Sequence, residues 1–113
     1  MHELALSQNI IDVVCRQAAA DGARRVRRVR IAIGALSPVQ PNAIEFCFDA
    51  VSRGTLAEGA VLDIDRPPGR AHCQSCDRVV TISGYGERCP VCGGQRWVLV
   101  GGDDLRVLEL EVE

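Results

Sequence analysis

Four of the six cysteines form two matched pairs, Cys73-x-x-Cys76 and Cys89-x-x-Cys92, and no other feature restricts the fold as strongly. Two thiolates separated by two residues reach one ion from a single tight turn, and a second such turn completes a tetrahedron, the geometry zinc accepts. Iron fits the same four thiolates. The twelve residues between Cys76 and Cys89 are enough for a hairpin. The roughly thirty residues around the pairs are too few to fold on a core of their own, so the metal must supply the missing stability. Four cysteines also close the coordination shell and leave no position for water or substrate, which marks a structural ion. Gly93 and Gly94, after the second pair, let backbone amides approach the sulfurs. Neither pair opens a helix after a strand, which argues against a redox dithiol.

Length and charge narrow the class. At 113 residues the chain is one small domain or two very small ones. Met1-His2-Glu3 opens directly into an amphipathic pattern, with nothing that reads as a signal peptide, and no apolar run reaches membrane-spanning length. A cytoplasmic location is expected, and reducing conditions there favour thiolate metal ligands over disulfides. Cys15 and Cys47, set in helical patterns, read as core thiols. His72 adjoins Cys73 and is open to two readings, entry into the zinc shell or simple solvation. Net charge is −2 and every basic side chain is arginine. The run Arg24-Arg25-Val26-Arg27-Arg28-Val29-Arg30 suggests a nucleic-acid surface at first sight. However, Val29, Ile31 and Ile33 alternate with Arg28, Arg30 and Ala32, as in a half-buried strand showing arginines to solvent, and no aromatic residues are interleaved. Neither a nucleic acid nor a membrane is therefore expected as partner. There is no nucleophile paired with a base and no phosphate-cradling glycine loop, so no catalytic residues and no enzyme are expected.

The pattern along the chain reads as α+β. A helix from about Glu3 to Ala20 places Leu6, Ile10, Val13 and Val14 on one side, widened by Leu4, Ile11 and Ala18. Asp21-Gly22 stops it. A strand ends near Gly34. Pro41 then opens a second helix carrying Ile44, Cys47, Phe48 and Val51, with Gly54 just past its end. Ala60 to Asp65 is a second strand, and Pro67-Pro68-Gly69 breaks the chain. At the carboxyl end Leu108, Leu110 and Val112 alternate with Glu109, Glu111 and Glu113, a strand with one wet face. The expected architecture is two helices packed on a small antiparallel three-stranded sheet, with a zinc-ribbon-like module inserted before its last strand. Residues 1–66 and 104–113 would form the α/β domain and 70–99 the zinc module.

The first three residues carry a second metal motif. The Met1 amine, the His2 amide nitrogen and the His2 ring nitrogen can close fused chelate rings around one ion, with the Glu3 amide or carboxylate in the fourth position. Planar nitrogen ligation suits divalent nickel and copper, whereas zinc prefers a tetrahedron. The bulk of His2 is expected to leave Met1 uncleaved, keeping the amine one residue ahead of the ring.

Taken together, the opening Met1-His2-Glu3-Leu4-Ala5-Leu6, the segment Ile33-Gly34-Ala35-Leu36-Ser37, the segment Phe46-Cys47-Phe48-Asp49 and the two cysteine pairs resemble the HypA/HybF family of hydrogenase nickel-incorporation proteins. The resemblance covers essentially the whole chain. It implies a nickel metallochaperone that carries Ni(II) as cargo at His2, with the Met1 amine and Glu3 as supporting ligands. It also implies structural Zn(II) at Cys73, Cys76, Cys89 and Cys92. The client implied is the large-subunit precursor of NiFe hydrogenase, reached in concert with a GTP-hydrolysing maturation partner, and some relatives also serve urease maturation. One departure is Gln40, where relatives commonly carry an acidic residue near the nickel site. The competing reading is a zinc-ribbon adaptor or nucleic-acid-binding module in which Met1-His2-Glu3 is incidental.

Overall fold

The computed structural model describes residues 2–113. Its elements run α1 (His2–Ala20), β1 (Val26–Ile33), α2 (Pro41–Ser52), β2 (Val61–Asp65), β3 (Gly69–Cys73), β4 (Val79–Ile82), β5 (Trp97–Gly101) and β6 (Leu105–Val112). They form two compact units, one from Met1–Ile31, Val39–Ile64 and Arg106–Glu113, the other from Ala32–Pro38 and Asp65–Leu105. No helix is long and apolar enough to cross a membrane among the described residues.

In the first unit α1 buries Ser7, Ile10, Ile11, Val14 and Ala18, spaced by three and four residues along one stripe. Two residues expected on that stripe are not on it. Leu4 and Val13 are 55% and 53% exposed. Val13 is turned about 100° from Val14, and Leu4 lies in the first turn, ahead of the point where the helices cross. The crossing is made by Ser7, whose hydroxyl donates to the Ile44 carbonyl at 3.5 Å. A small residue there brings the backbones close, and a count of large apolar residues passes over it. α2 buries Ile44, Phe48 and Ser52, each four residues on from the last. Cys15 and Cys47 are half-buried free thiols rather than fully enclosed core residues.

Helix termination follows local chemistry. Gly22 takes a φ of 72°, and the N–H groups of Gly22 and Ala23 return to the carbonyls of Ala19 and Ala18 at 3.0 and 2.9 Å. This 5→2 and 6→1 pair is the Schellman closure, which a side chain at Gly22 would strain.

The helices pack on a three-stranded sheet of order β2-β1-β6. Arg25 and Glu113 exchange backbone hydrogen bonds in both directions, as antiparallel partners do. Val29, Ile31 and Ile33 of β1 are completely buried. On the other face Arg28 pairs with Asp63 of β2 and with Glu111 of β6, and Arg30 with Glu109 at 3.0 Å. Arg25 and Arg27 both reach Glu113. Much of the basic run is thus neutralised by neighbouring carboxylates, through cross-strand pairs on a wet sheet face.

The second unit holds more structure than a hairpin between cysteine pairs. β3 is the centre of a sheet of order β4-β3-β5, pairing antiparallel with both neighbours. Its strands are only four or five residues long, too short for alternation to announce them. Their inward side chains Ala71, Cys73, Val80 and Ile82 join Cys89 in a small core, with Leu36, Trp97 and Leu99 packed against it. Leu36 comes from the segment after β1, held by Ala35 and Leu36 N–H groups donating to Pro67 and Gly102 carbonyls at 2.8 and 2.9 Å.

Candidate metal centre

Each cysteine pair is a turn of the same construction. In the first, the Asp77 N–H donates to the Cys73 carbonyl at 2.8 Å and the Cys73 N–H to the Arg78 carbonyl at 2.8 Å. In the second, Gly93 donates to Cys89 at 2.8 Å and Cys89 to Gly94 at 2.9 Å. Both turns place the residue after the second cysteine in the left-handed region, Asp77 at φ 59° and Gly93 at φ 75°. Glycine does this freely and aspartate at a cost. The Gly93 position was legible in the sequence, whereas its counterpart Asp77 was not. The Gly94 N–H also donates to the Cys92 sulfur at 3.4 Å. A side chain on Gly94 would press on Ser75 and on that sulfur.

The two turns bring the four sulfurs within 4.8 Å of one another. Cys73 Sγ lies 3.6 Å from Cys92 Sγ, and Cys76 Sγ lies 3.8 Å from Cys89 Sγ. A zinc–sulfur bond of about 2.3 Å implies tetrahedral edges of about 3.8 Å. Both of those pairs sit close to that edge length, so the donor set suits a tetrahedral ion.

The electrostatics repeat the symmetry. The amide of Cys76, then that of Ser75, holds the Cys73 thiol down to about 6 against the effect of burial. The amide of Cys92, then that of Val91, lowers Cys89 in the same way. Burial, then the Cys73 sulfur, pushes Cys76 up to about 12. Cys92 is raised because the Gly94 amide, the largest single influence, is outweighed by the Cys73 sulfur, burial and the Cys89 sulfur together. Each turn thus offers one thiolate stabilised by amides and one thiol that ionises when a cation compensates its charge.

His72 stands outside the sulfur cluster, its Nε2 2.7 Å from Asp77 Oδ1. Trp97 closes one side of the module. Its indole N–H donates to the Glu87 carbonyl at 2.8 Å and its ring stacks on Tyr85 with centroids 6.4 Å apart.

At the other candidate site, His2 is exposed as the first residue of α1. The Met1 amine lies outside the described residues. Glu3 Oε2 accepts the backbone N–H of Gln40 at 3.3 Å. The Glu3 carboxyl sits below its ordinary 4.5, first through its own backbone N–H and then through that of Gln40. Spacing alone does not connect Glu3 with Gln40, because the contact spans 37 residues and depends on how the helices pack.

Comparison with known proteins agrees with this arrangement. Residues 1–112 match the family described as hydrogenase/urease nickel incorporation, metallochaperone, HypA. Hydrogenase maturation factor HypA of Geobacter metallireducens is 49% identical over 113 residues, covering all of both chains. The Azotobacter vinelandii protein of that name is 44% identical, again over both full lengths. Among solved structures, one described as the solution structure of HypA protein superposes with a TM-score of 0.76 at 25% identity, covering all of this chain and 97% of the other. The solution structure of the nickel metallochaperone HypA from Helicobacter pylori shares the fold, with a TM-score of 0.72 at 22% identity over 97% of this chain and 96% of that one. An exposed His2 beside a Glu3 carboxylate, a compact four-thiol cluster and a family match along almost every residue together place this chain in the HypA family of hydrogenase and urease nickel-incorporation metallochaperones.

Proposed function

We propose that the protein carries Ni(II) as cargo on the Met1 amine, the His2 amide and ring nitrogens and Glu3, and delivers it in the cytoplasm to the large-subunit precursor of NiFe hydrogenase. A GTP-hydrolysing maturation partner acts with it, and urease maturation is a second client pathway. Cys73, Cys76, Cys89 and Cys92 hold Zn(II), which supplies a structural cross-link and no chemistry on the cargo. The α/β domain of residues 1–66 and 104–113 carries nickel, and residues 70–99 form the zinc module.

The observation that carries this reading is the exposed position of His2 at the start of α1. The first four N–H groups of a helix have no carbonyl partner within it. Replacing an amide proton there with nickel breaks no helical hydrogen bond, so the carrier loads and unloads without melting α1. The Glu3 carboxylate already receives the Gln40 N–H, which favours the Glu3 amide nitrogen as the fourth planar donor. An exposed chelate at a terminus suits a carrier, because an affinity near micromolar, about 8 kcal/mol, retains the ion and still allows transfer. Titration of nickel into zinc-loaded protein with its native terminus tests the site. One nickel per chain is expected, lost on His2→Ala or on any extension ahead of Met1, with zinc content unchanged. Unaltered nickel stoichiometry in both variants would overturn the assignment.

A further inference from the structure

Strand β6 forms one edge of the sheet β2-β1-β6, and a groove of about 420 Å³ runs between it and α1. Val13, Val14, Gln17 and Asp21 line one side and Val107–Leu110 the other. Glu109 and Glu111 both pair with arginines of β1 on the wet face, so Leu110 between them points to the helix-bearing face. Glu109 and Leu110 nevertheless line the same groove, which requires the free edge of the strand to form its wall. The backbone agrees. Glu113 exchanges hydrogen bonds with Arg25, and alternation along an antiparallel strand then turns the N–H and C=O groups of Leu110 and Val112 away from β1.

Long free edges are ordinarily blunted by charged side chains, proline, shortness or a covering loop. The opposite edge, β2, is five residues long, whereas β6 runs for eight without proline, and its Glu109 and Glu111 are engaged by the arginines of β1. Apolar surface lies beside it, with Val13 53% and Leu108 38% exposed. The charged groups among the groove residues are both acidic: Glu109 is paired with Arg30, and Asp21 accepts only a neutral side-chain amide, that of Gln17, among the bonds that reach it.

We propose that β6 is a docking edge for an extended segment of a partner protein. The segment adds as a fourth strand, sets alternate apolar side chains on Val13 and Leu110, and carries a basic residue that meets Asp21. Main-chain pairing supplies the affinity and the groove supplies the selectivity. The Asp21 carboxylate selects a basic occupant. It also disfavours a second copy of β6, whose own glutamates would join those already along the strand.

A blocked, fluorescein-labelled peptide of alternating valine and threonine with one central lysine, added to the zinc-loaded full-length chain, tests this. Saturable anisotropy is expected, weakened about tenfold or more by Val13→Lys, a half-exposed position outside the core, and by Asp21→Lys at an exposed one. A peptide with glutamate for lysine should bind at least about fivefold more weakly. Amide exchange at Leu110 and Val112 should slow about tenfold with peptide bound. No saturation at millimolar peptide, equal binding by both variants, or unchanged exchange at Leu110 and Val112 would overturn the proposal. So would sedimentation showing that the chain alone dimerises through β6.

Discussion

The carboxylate of Glu3 accepts the backbone N–H of Gln40 at 3.3 Å, joining the first turn of α1 to the N-cap of α2. Gln40 makes no side-chain capping bond of its own, so a residue from another helix occupies an N–H that a capping-box glutamate would otherwise take. Glu3 to Gln40 and Ser7 to Ile44 share an offset of 37 residues, which means that the helices run side by side in the same direction. The packing of the helices therefore sets the surroundings of the Glu3 carboxylate.

This contact carries a pH signature. A carboxyl whose folded pKa lies below its unfolded value contributes stability that is present above the unfolded value and lost as pH falls through the folded one. For Glu3 that window lies below 4.5. The Gln40 amide resonance should titrate with a midpoint below 4.5 in the native chain and lose that transition in Glu3→Gln, as followed by NMR.

Trp97 is the sole tryptophan of the chain and packs against the core of the cysteine module. Its emission therefore reports on that module alone. Chelation of zinc, or Cys73→Ser, should shift the emission to the red and abolish zinc stoichiometry, because the ion contributes roughly 10–16 kcal/mol in sites of this kind. Native emission after complete metal removal would contradict a structural role.

Protons compete with zinc for the same sulfurs, so zinc retention should fall as pH falls, and more steeply than one proton per ion allows. The direction follows from the ligands themselves, since each thiol must lose its proton to bind the ion and regains it on acidification. Competition with a chromophoric chelator at several pH values measures the slope. A flat profile would show that fewer than four thiolates hold the metal.

Gly34 and Gly102 lie so close that a β-carbon on Gly34 would meet the Gly102 carbonyl. Gly34→Ala should cost about 1–3 kcal/mol through forced backbone shifts. Gly84→Ala, with nothing within 4 Å of the added carbon and no positive φ, should be close to neutral. Paired thermal melts of the zinc-loaded proteins compare the two.

Much of this was legible in the residues themselves. Metal spacing in the cysteine pairs, the glycine stop at Gly22, Pro41 at the start of α2 and the Leu108–Glu113 alternation each act over a few neighbouring residues. Sequence patterns capture such short-range chemistry well. Ser7 was missed because a polar residue at a helix crossing has no apolar signal, and Val13 was placed in the core because hydrophobicity does not say which side of a helix finds a partner.

The sequence by itself determined the tetrahedral donor set and the order of α1, β1, α2, β2 and β6, since each depends on spacing along the chain. Only the tertiary structure decided that Leu36 completes the core of the cysteine module, that Glu3 caps the helix begun by Gln40, and that β6 lies at the edge of its sheet. Those features join residues dozens of positions apart, and the packing of apolar surfaces that brings them together is set by the whole fold rather than by any local pattern.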